Sequence, residues 1–370
     1  MKKELLKGKT IYVVATGCNK SKEVTKFIKE LEDLGSKVYL FATNECMKIA
    51  GNNGEFEAVN FRKENNVEKR NEIEKEDLIL IAPCSFNTLN KLANGIADSY
   101  PLTLVQTAMG RKTPIIIGAS MNINLWNNFN AQNSIDILSK QDNVTLIWPE
   151  FIAGEAKEEI RLTMASWNKI KDTILNTFHI LPFNAVCEKE ENMYNNLENK
   201  LFKDLRLYGR SCKEIHVCPS RAGCIAERTQ EGILISATGA DLGNLQPSDM
   251  VLIKKYVNDD IHYEGVKKPS SESILAWNLL SNREVGTKLI HCHCSKITYS
   301  TKFKNNSTED YFLSTNSEQV EEVKNILDKE EFATLKLHGQ VFIGKSFESI
   351  IGKIVSKYCE CFDDFNINIQ

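Results

Sequence analysis

Two histidines one residue apart, His291 and His293 in Leu-Ile-His-Cys-His-Cys, are followed by a third, His338, in Lys-Leu-His-Gly-Gln-Val-Phe. On a β-strand alternate side chains share a face, so His291 and His293 can reach one ion while Cys292 points away. Three neutral imidazoles with one position left open form the ligand set of a catalytic zinc or other divalent metal, with water or substrate in the fourth place. Upstream lies Pro269-Ser270-Ser271-Glu272. A carboxylate not needed as a ligand, Glu272, can serve as acid or base on a substrate held at such a site. Alone, an H-x-H is also compatible with a packed core strand. His338 and the Ser-Ser-Glu element make it a candidate metal site.

Other segments of this half stand in a recognisable order. Residues 232–249 form a glycine-turn segment around Ser236-Ala-Thr238-Gly239, and Glu264-Gly-Val-Lys-Lys-Pro-Ser-Ser-Glu272 precedes the histidine pair. In this order, with His338-Gly339 after them, the motifs resemble the class II aldolase/adducin family. The resemblance implies an α/β/α domain in which Gly223, Thr238, Gly239, Ser270 and Ser271 hold a substrate phosphate. It also implies that His291, His293 and His338 hold the metal and that Glu272 moves the proton in aldol cleavage of a small phosphorylated sugar or related hydroxy-carbonyl compound. Small hydroxyls and backbone N–H groups suit an oxyanion, although each such residue is also ordinary turn chemistry. Cys224 stands where the family has an asparagine after the glycine, which alters the phosphate grip. Adducin-type members keep the fold without the metal site, whereas this chain retains all three histidines. The spacing from His293 to His338, through the polar stretch Lys302 to Asp310, is shorter than in a full aldolase, as if a strand or lid were trimmed.

The first half has a different rhythm. Ile11–Ala15, Val38–Ala42, Leu78–Ala82, Pro114–Gly118 and Val144–Trp148 are short apolar runs that read as buried parallel strands. Amphipathic stretches separate them, such as Ser21 to Leu34 with Ser21 as an expected N-cap. The pattern predicts a doubly wound parallel sheet of the flavodoxin/Rossmann-like kind, with ligands at the carboxyl ends of its strands. No G-x-G-x-x-G accompanies it.

Two elements follow these strands: Ala82-Pro-Cys-Ser85-Phe-Asn87-Thr88 and Ala119-Ser-Met121-Asn122-Ile-Asn-Leu-Trp126. They resemble the P-A-S-A-N-T and P-x-M-N-x-x-M-W elements of the flavin-containing cysteine decarboxylases. The resemblance covers about 150 residues. It implies an FMN site formed by Thr16, Gly17, Cys18, Thr43, Ser85, Asn87, Thr88, Met121 and Asn122. Two departures argue against decarboxylation. The family places a catalytic histidine before the strand that leads into its P-A-S-A-N-T element, where this chain has Glu68-Lys-Arg-Asn-Glu-Ile-Glu-Lys, and no histidine precedes His179. The family's late Ala-Cys-Gly flap is reduced to Ala153-Gly154.

The chain of 370 residues, 42% hydrophobic and 26% charged, has room for two domains with their own cores. The expected division is a flavoprotein domain at 1–178, a linker at 179–196 where the sequence turns Asn/Glu/Lys-rich, and the metal-binding domain at 197–370. A net charge of −3 gives no electrostatic reason to expect nucleic acid or an anionic membrane as partner. No apolar run approaches a membrane span, and the N-terminus has no apolar core of a signal peptide. Eleven scattered cysteines fit reduced cytoplasmic thiols better than a disulfide framework. Both families assemble as homo-oligomers, one threefold and the other fourfold, so at least one half must depart from its family's symmetry. A metal-dependent lyase fused behind a flavin-binding domain is the favoured reading. The alternatives are a flavoprotein decarboxylase of the phosphopantothenoylcysteine (coenzyme A biosynthesis) type with an accessory second half, and a non-catalytic scaffold.

Overall fold

The computed structural model describes residues 4–50, 56, 60–62, 73–153, 160–181, 183–194, 199–218, 221–298, 300–309, 317–336 and 338–361. It divides into two compact units, Met1–Phe178 and His179–Gln370. Gly154, residues 68–72 and Asp310 lie outside the described residues. Among the described residues no helix is long and apolar enough to cross a membrane.

The first unit is a parallel sheet of β1 (Thr10–Ala15), β2 (Lys37–Ala42), β3 (Asn60–Arg62), β4 (Leu78–Cys84), β5 (Ile115–Ala119) and β6 (Val144–Ile147). The strands lie in the order β3-β2-β1-β4-β5-β6, with every neighbouring pair parallel. This order reverses between β1 and β4, the switch point at which doubly wound sheets open a crevice. The helices are α1 (Val24–Asp33), α2 (Asn44–Ala50), α3 (Phe86–Ala93), α4 (Tyr100–Gly110), α5 (Ile123–Trp126), α6 (Phe129–Ser139) and α7 (Trp167–Thr177). Alternation along β1 sends Tyr12 and Val14 into one core with Leu89, Leu92, Val105, Ile135 and Leu138 of α3, α4 and α6. The other face, with Ile11 and Val13, is left to α1 and α7, where Phe27 stacks on Trp167 with ring centres 4.6 Å apart.

The apolar runs mark five of these strands. The edge strand β3 has only three residues, too few for a periodicity, and an antiparallel pair, β7 (Glu150–Ala153) with β8 (Ile160–Thr163), was also not expected. Ser21 does not cap α1. It sits in a preceding 3-10 turn, where its hydroxyl donates to the Thr16 carbonyl at 2.8 Å and accepts from the Cys18 amide at 3.2 Å.

The second unit is built on β9 (Asn184–Lys189), β10 (Cys224–Arg228), β11 (Ile233–Ser236), β12 (Met250–Val257), β13 (Asp260–Glu264), β14 (Lys288–Cys292), β15 (Phe332–Leu335) and β16 (Gly339–Gly344). The sheet order is β15-β16-β14-β10-β11-β12-β13-β9, antiparallel except for the edge pair β13–β9. The stretch 179–196, expected as linker, thus supplies the strand β9. Its side chains are mostly exposed, which hid it from a reading based on apolar runs. The helices are α8 (Lys200–Glu214), α9 (Ser273–Leu280), α10 (Ser295–Thr298), α11 (Ser317–Leu327) and α12 (Phe347–Glu360). One core joins α8 and α12 to Ile225, Ile290, Cys292 and Phe342. A second joins α9 and α11 to Cys224, Ala226, Leu289 and Val341. Helices on both faces of a mixed sheet give the α/β/α layering.

Phe27 is 1% exposed and closes the α1–α7 seam. Phe27→Ala should lower the unfolding free energy by about 3–5 kcal/mol, the range for emptying a buried aromatic site, as read from urea unfolding.

Candidate metal centre

The alternation of β14 decides where its histidine goes. Ile290 and Cys292 enter the α8/α12 core, so His291 faces the opposite side, that of α9. His291 pairs in register with Val341 of β16 and with Cys224 of β10. His293 lies just beyond the strand, its amide donating to the Val217 carbonyl at 2.8 Å. His338 lies in the turn between β15 and β16, its amide donating to the Leu335 carbonyl at 2.9 Å. The three rings converge with centres 4.7, 5.1 and 4.9 Å apart, and one nitrogen from each lies within 4.8 Å of the others.

The orientation of His291 is fixed by its own hydrogen bond. Nδ1 lies 3.0 Å from the Gln340 carbonyl oxygen, which can only accept, so Nδ1 carries the proton and Nε2 presents its lone pair. That Nε2 lies 2.9 Å from Nε2 of His293. Nitrogens bound tetrahedrally at zinc–imidazole distances stand about 3.3 Å apart, so rotamer-scale adjustment would seat an ion. Burial holds the His291 pKa below its ordinary value, opposed by the Glu272 charge and the Gln340 hydrogen bond. The neutral, ligating form is therefore favoured.

Gln340 was not singled out in the sequence. Fully buried, it accepts from the Cys294 amide at 3.1 Å and donates to Thr298 Oγ1 at 2.6 Å, tying the segment after His293 to β16. Its place two residues after His338, on the strand paired with β14, was the available signal. Gly339 also has a steric reason: a Cβ there would meet the Cys292 carbonyl at 2.4 Å and His291 Cε1 at 3.1 Å.

Glu272 immediately precedes α9 and is 8% exposed. Its amide donates to Ser270 Oγ at 3.2 Å. Its charge reaches both His291 and Cys224. The Cys224 thiol is pushed up to about 12, first by burial and then by Glu272. Burial and the neighbouring carboxylate thus favour its thiol form. Cys292 is likewise raised well above the usual thiol value, and Cys294 to about 11, both by burial. All eleven cysteines are free thiols.

The residues expected at the phosphate form the adjoining wall. An isolated bridge pairs Ala237 with Pro269, and the Thr238 amide donates to the Lys268 carbonyl at 3.0 Å. These contacts bring Thr238-Gly239 beside Ser270-Ser271. Gly223 precedes Cys224 with φ +91°, and a Cβ there would lie 2.7 Å from the His291 carbonyl oxygen.

In the first unit the expected flavin contacts fall at the carboxyl ends of β1, β2, β4 and β5. Thr16 Oγ1 donates to the Pro83 carbonyl at 2.8 Å and accepts from the Ser85 amide at 2.7 Å, lacing β1 to β4. Cys18 Sγ donates to the Ser120 carbonyl at 3.3 Å, and burial raises its pKa. Gly17 packs so tightly that a Cβ would meet Glu45 Cβ at 2.7 Å. Thr43 Oγ1 accepts from the Cys46 amide, Ser85 caps α3 through the Thr88 amide, and Asn122 caps α5 through the Leu125 amide. Thr88 and Met121 are buried, and Asn87 is exposed. The strand ends thus gather these residues around the switch point, several of them as caps.

The two halves are α/β domains of different design, a doubly wound parallel sheet and an α/β/α layer on a mostly antiparallel sheet. Residues 1–179 match the family model described as Flavoprotein, and residues 204–356 match the model described as Class II Aldolase and Adducin N-terminal domain. Over 164 residues the chain is 34% identical to the coenzyme A biosynthesis bifunctional protein CoaBC of Methanocaldococcus jannaschii, covering 42% of this chain and 39% of that protein. Over 110 residues it is 32% identical to epidermin decarboxylase of Staphylococcus epidermidis, covering 29% of this chain and 59% of that protein. The solved peptidyl-cysteine decarboxylase EpiD aligns with 45% of this chain and 98% of its own, at 23% identity and a TM-score of 0.40. The chain spans about two fifths of the length of the CoaBC relative.

Gly223→Ala combines a left-handed φ with a contact on the His291 carbonyl. It should cost about 1–2 kcal/mol or more, measured by urea unfolding.

Proposed function

We propose that the second half is a divalent-metal-dependent lyase of class II aldolase type, acting on a small phosphorylated hydroxy-carbonyl compound, and that the first half binds FMN without decarboxylating. The observation that carries the reading is the convergence of three imidazole nitrogens within 4.8 Å beside the buried carboxylate of Glu272. The donor set fits zinc or a similar divalent ion: three imidazole nitrogens, one of them oriented by a carbonyl. Held by His291, His293 and His338, the ion supplies Lewis-acid polarisation of a substrate carbonyl.

The chain's own residues then do the following. Gln340 holds the His291 ring so that Nε2 faces the site. Glu272, fixed at the start of α9, accepts the proton given up by the substrate hydroxyl as the carbon–carbon bond breaks and returns it from its carboxyl oxygen to the freed substrate carbon, and the reverse transfers accompany condensation. Ser271 and the Thr238-Gly239 turn bind the phosphate and hold the reacting end against Glu272. The buried wall of Cys224 and Ser270 limits water at that carboxylate.

Purified chain should contain about one divalent ion, as required by a three-histidine site, and lose it in His291→Ala/His293→Ala. Elemental analysis reads this directly. Glu272→Gln should keep the ion and lose about 10²–10⁴-fold in turnover. Full turnover in that variant would remove Glu272 from the chemistry.

For the first half, support comes from the switch point in the strand order and from relatives named as decarboxylases. The hydroxyls of Ser85 and Thr88, with backbone amides at the strand ends, suit an FMN phosphate and ring edge, while Thr16 braces the turn that carries them. The first histidine of the chain is His179, so the acid–base group of a cysteine decarboxylase is missing before β4. The chain should take up FMN and show bound-flavin absorbance, yet release no carbon dioxide from cysteinyl substrates. Such release would favour the rival reading, a decarboxylase of the coenzyme A biosynthesis type with an accessory second half.

A further inference from the structure

Positive charge crowds the Thr238-Gly239 turn more than the expected phosphate contacts require. Arg221 Nη1 donates to the Gly239 carbonyl at 3.2 Å. Among the described residues Arg221 has no carboxylate within ion-pair distance, whereas nearby Lys267 is engaged by the buried Asp249 at 2.6 Å. Gly239 has φ +66°, and a Cβ there would lie 1.9 Å from His179 Cε1, so the imidazole of His179 presses on the same turn. Burial, and then Arg221 and Lys267, lower the His179 pKa, which places both cations near that ring. The amides of Gly239 and Ser271 meet no acceptor among the described residues. Two open N–H donors, an imidazole and an unpaired guanidinium therefore share one small surface. Cys224 offers there only a neutral, weakly donating thiol.

We propose that Arg221, flanked by His179, is the specificity-determining residue that reads a phosphate monoester on the substrate, with the Gly239 and Ser271 amides as its partners. The inference rests on the lyase reading only in assigning the phosphate to that reaction's substrate; the anion site itself needs no metal. A planar, permanently charged guanidinium can donate two parallel hydrogen bonds to phosphate oxygens. The existing bond to the Gly239 carbonyl holds Arg221 at the turn and orients it before the anion arrives. His179 is a second donor on the other side of the turn.

The test is isothermal titration calorimetry of the full chain with inorganic phosphate, and with malonate as a carboxylate counterpart, alongside metal content on the same samples. Wild type should bind one phosphate per chain. Arg221→Gln should weaken it about tenfold or more, the loss expected for a charged hydrogen bond, and Arg221→Lys should recover part of the affinity. Lys345→Gln removes the same charge at a site 94% exposed and should change nothing. Phosphate binding should persist in His291→Ala/His293→Ala. The proposal is overturned if Arg221→Gln binds phosphate as wild type does, if wild type binds none, if malonate is preferred, or if binding disappears with the metal ligands. Absence of metal with intact, Arg221-dependent phosphate binding would instead sink the lyase reading and leave the anion site standing.

Discussion

The pairing of β14 with β16 is the constraint on which the candidate centre depends. It sets Cys292 opposite Gln340, so the Gln340 carbonyl can receive Nδ1–H of His291 from the neighbouring strand. A slip of one residue would turn His291 into the α8/α12 core and bring Cys292 to the α9 face, because strand side chains alternate. The register is held by side chains on both faces, Ile290 and Phe342 on one and Leu289 and Val341 on the other. The packing that stabilises the domain is therefore the same packing that aims the imidazole. A histidine only 1% exposed is costly if charged or unpaired, and the carbonyl partner meets that cost while choosing the tautomer.

The strongest sequence signals were those in which chemistry and periodicity coincide. The apolar runs of β1, β2, β4 and β5 are buried along almost their whole length, as parallel strands covered on both faces must be, and the edge strand β6 is buried at its two ends. His291 obeys the strand alternation, whereas His293 lies just past the end of β14, where its amide bonds the Val217 carbonyl, and His338 falls beside the pair because β16 pairs with β14. What escaped notice has weak local signals. β9 is an exposed parallel edge strand whose partner, β13, lies about 75 residues later, so no hairpin turn announced it. Ser21 had a cap-like context, yet its hydroxyl is used to close the turn after β1. Gln340 and Arg221 act through backbone carbonyls, contacts that composition and spacing do not encode.

Cysteine enters both candidate sites, as Cys18 at the end of β1 and Cys224 beside His291, and in neither is it set up as a thiolate. Burial raises both thiols, and Glu272 adds to the effect at Cys224. Reactive cysteines need an electropositive, partly open surrounding. Here Cys224 has a carboxylate for a neighbour and Cys18 spends its proton on a carbonyl. On the second half's sheet face the three imidazoles are the candidate ligating groups, the donor set that the proposed metal-dependent reading calls for.

The exchange of an asparagine-like donor for Cys224 has an electrostatic consequence for the reading proposed above. A base such as Glu272 must stay close to a substrate that also carries a phosphate, and two anions in a partly buried site repel strongly at low effective dielectric. An asparagine could stabilise the phosphate by donating hydrogen bonds, but a thiol does so only weakly. The compensation must come from groups with full charge. An imidazole-bound ion would supply one such charge beside Glu272, and Arg221 supplies another at the Thr238-Gly239 turn, where it donates to the Gly239 carbonyl. With one positive group at the imidazoles and another at the turn, the reacting carbon and the phosphate would each be held against a counter-charge of their own. In this arrangement a ligand lacking the phosphate would leave Arg221 unneutralised, so discrimination and orientation arise from the same charge pair.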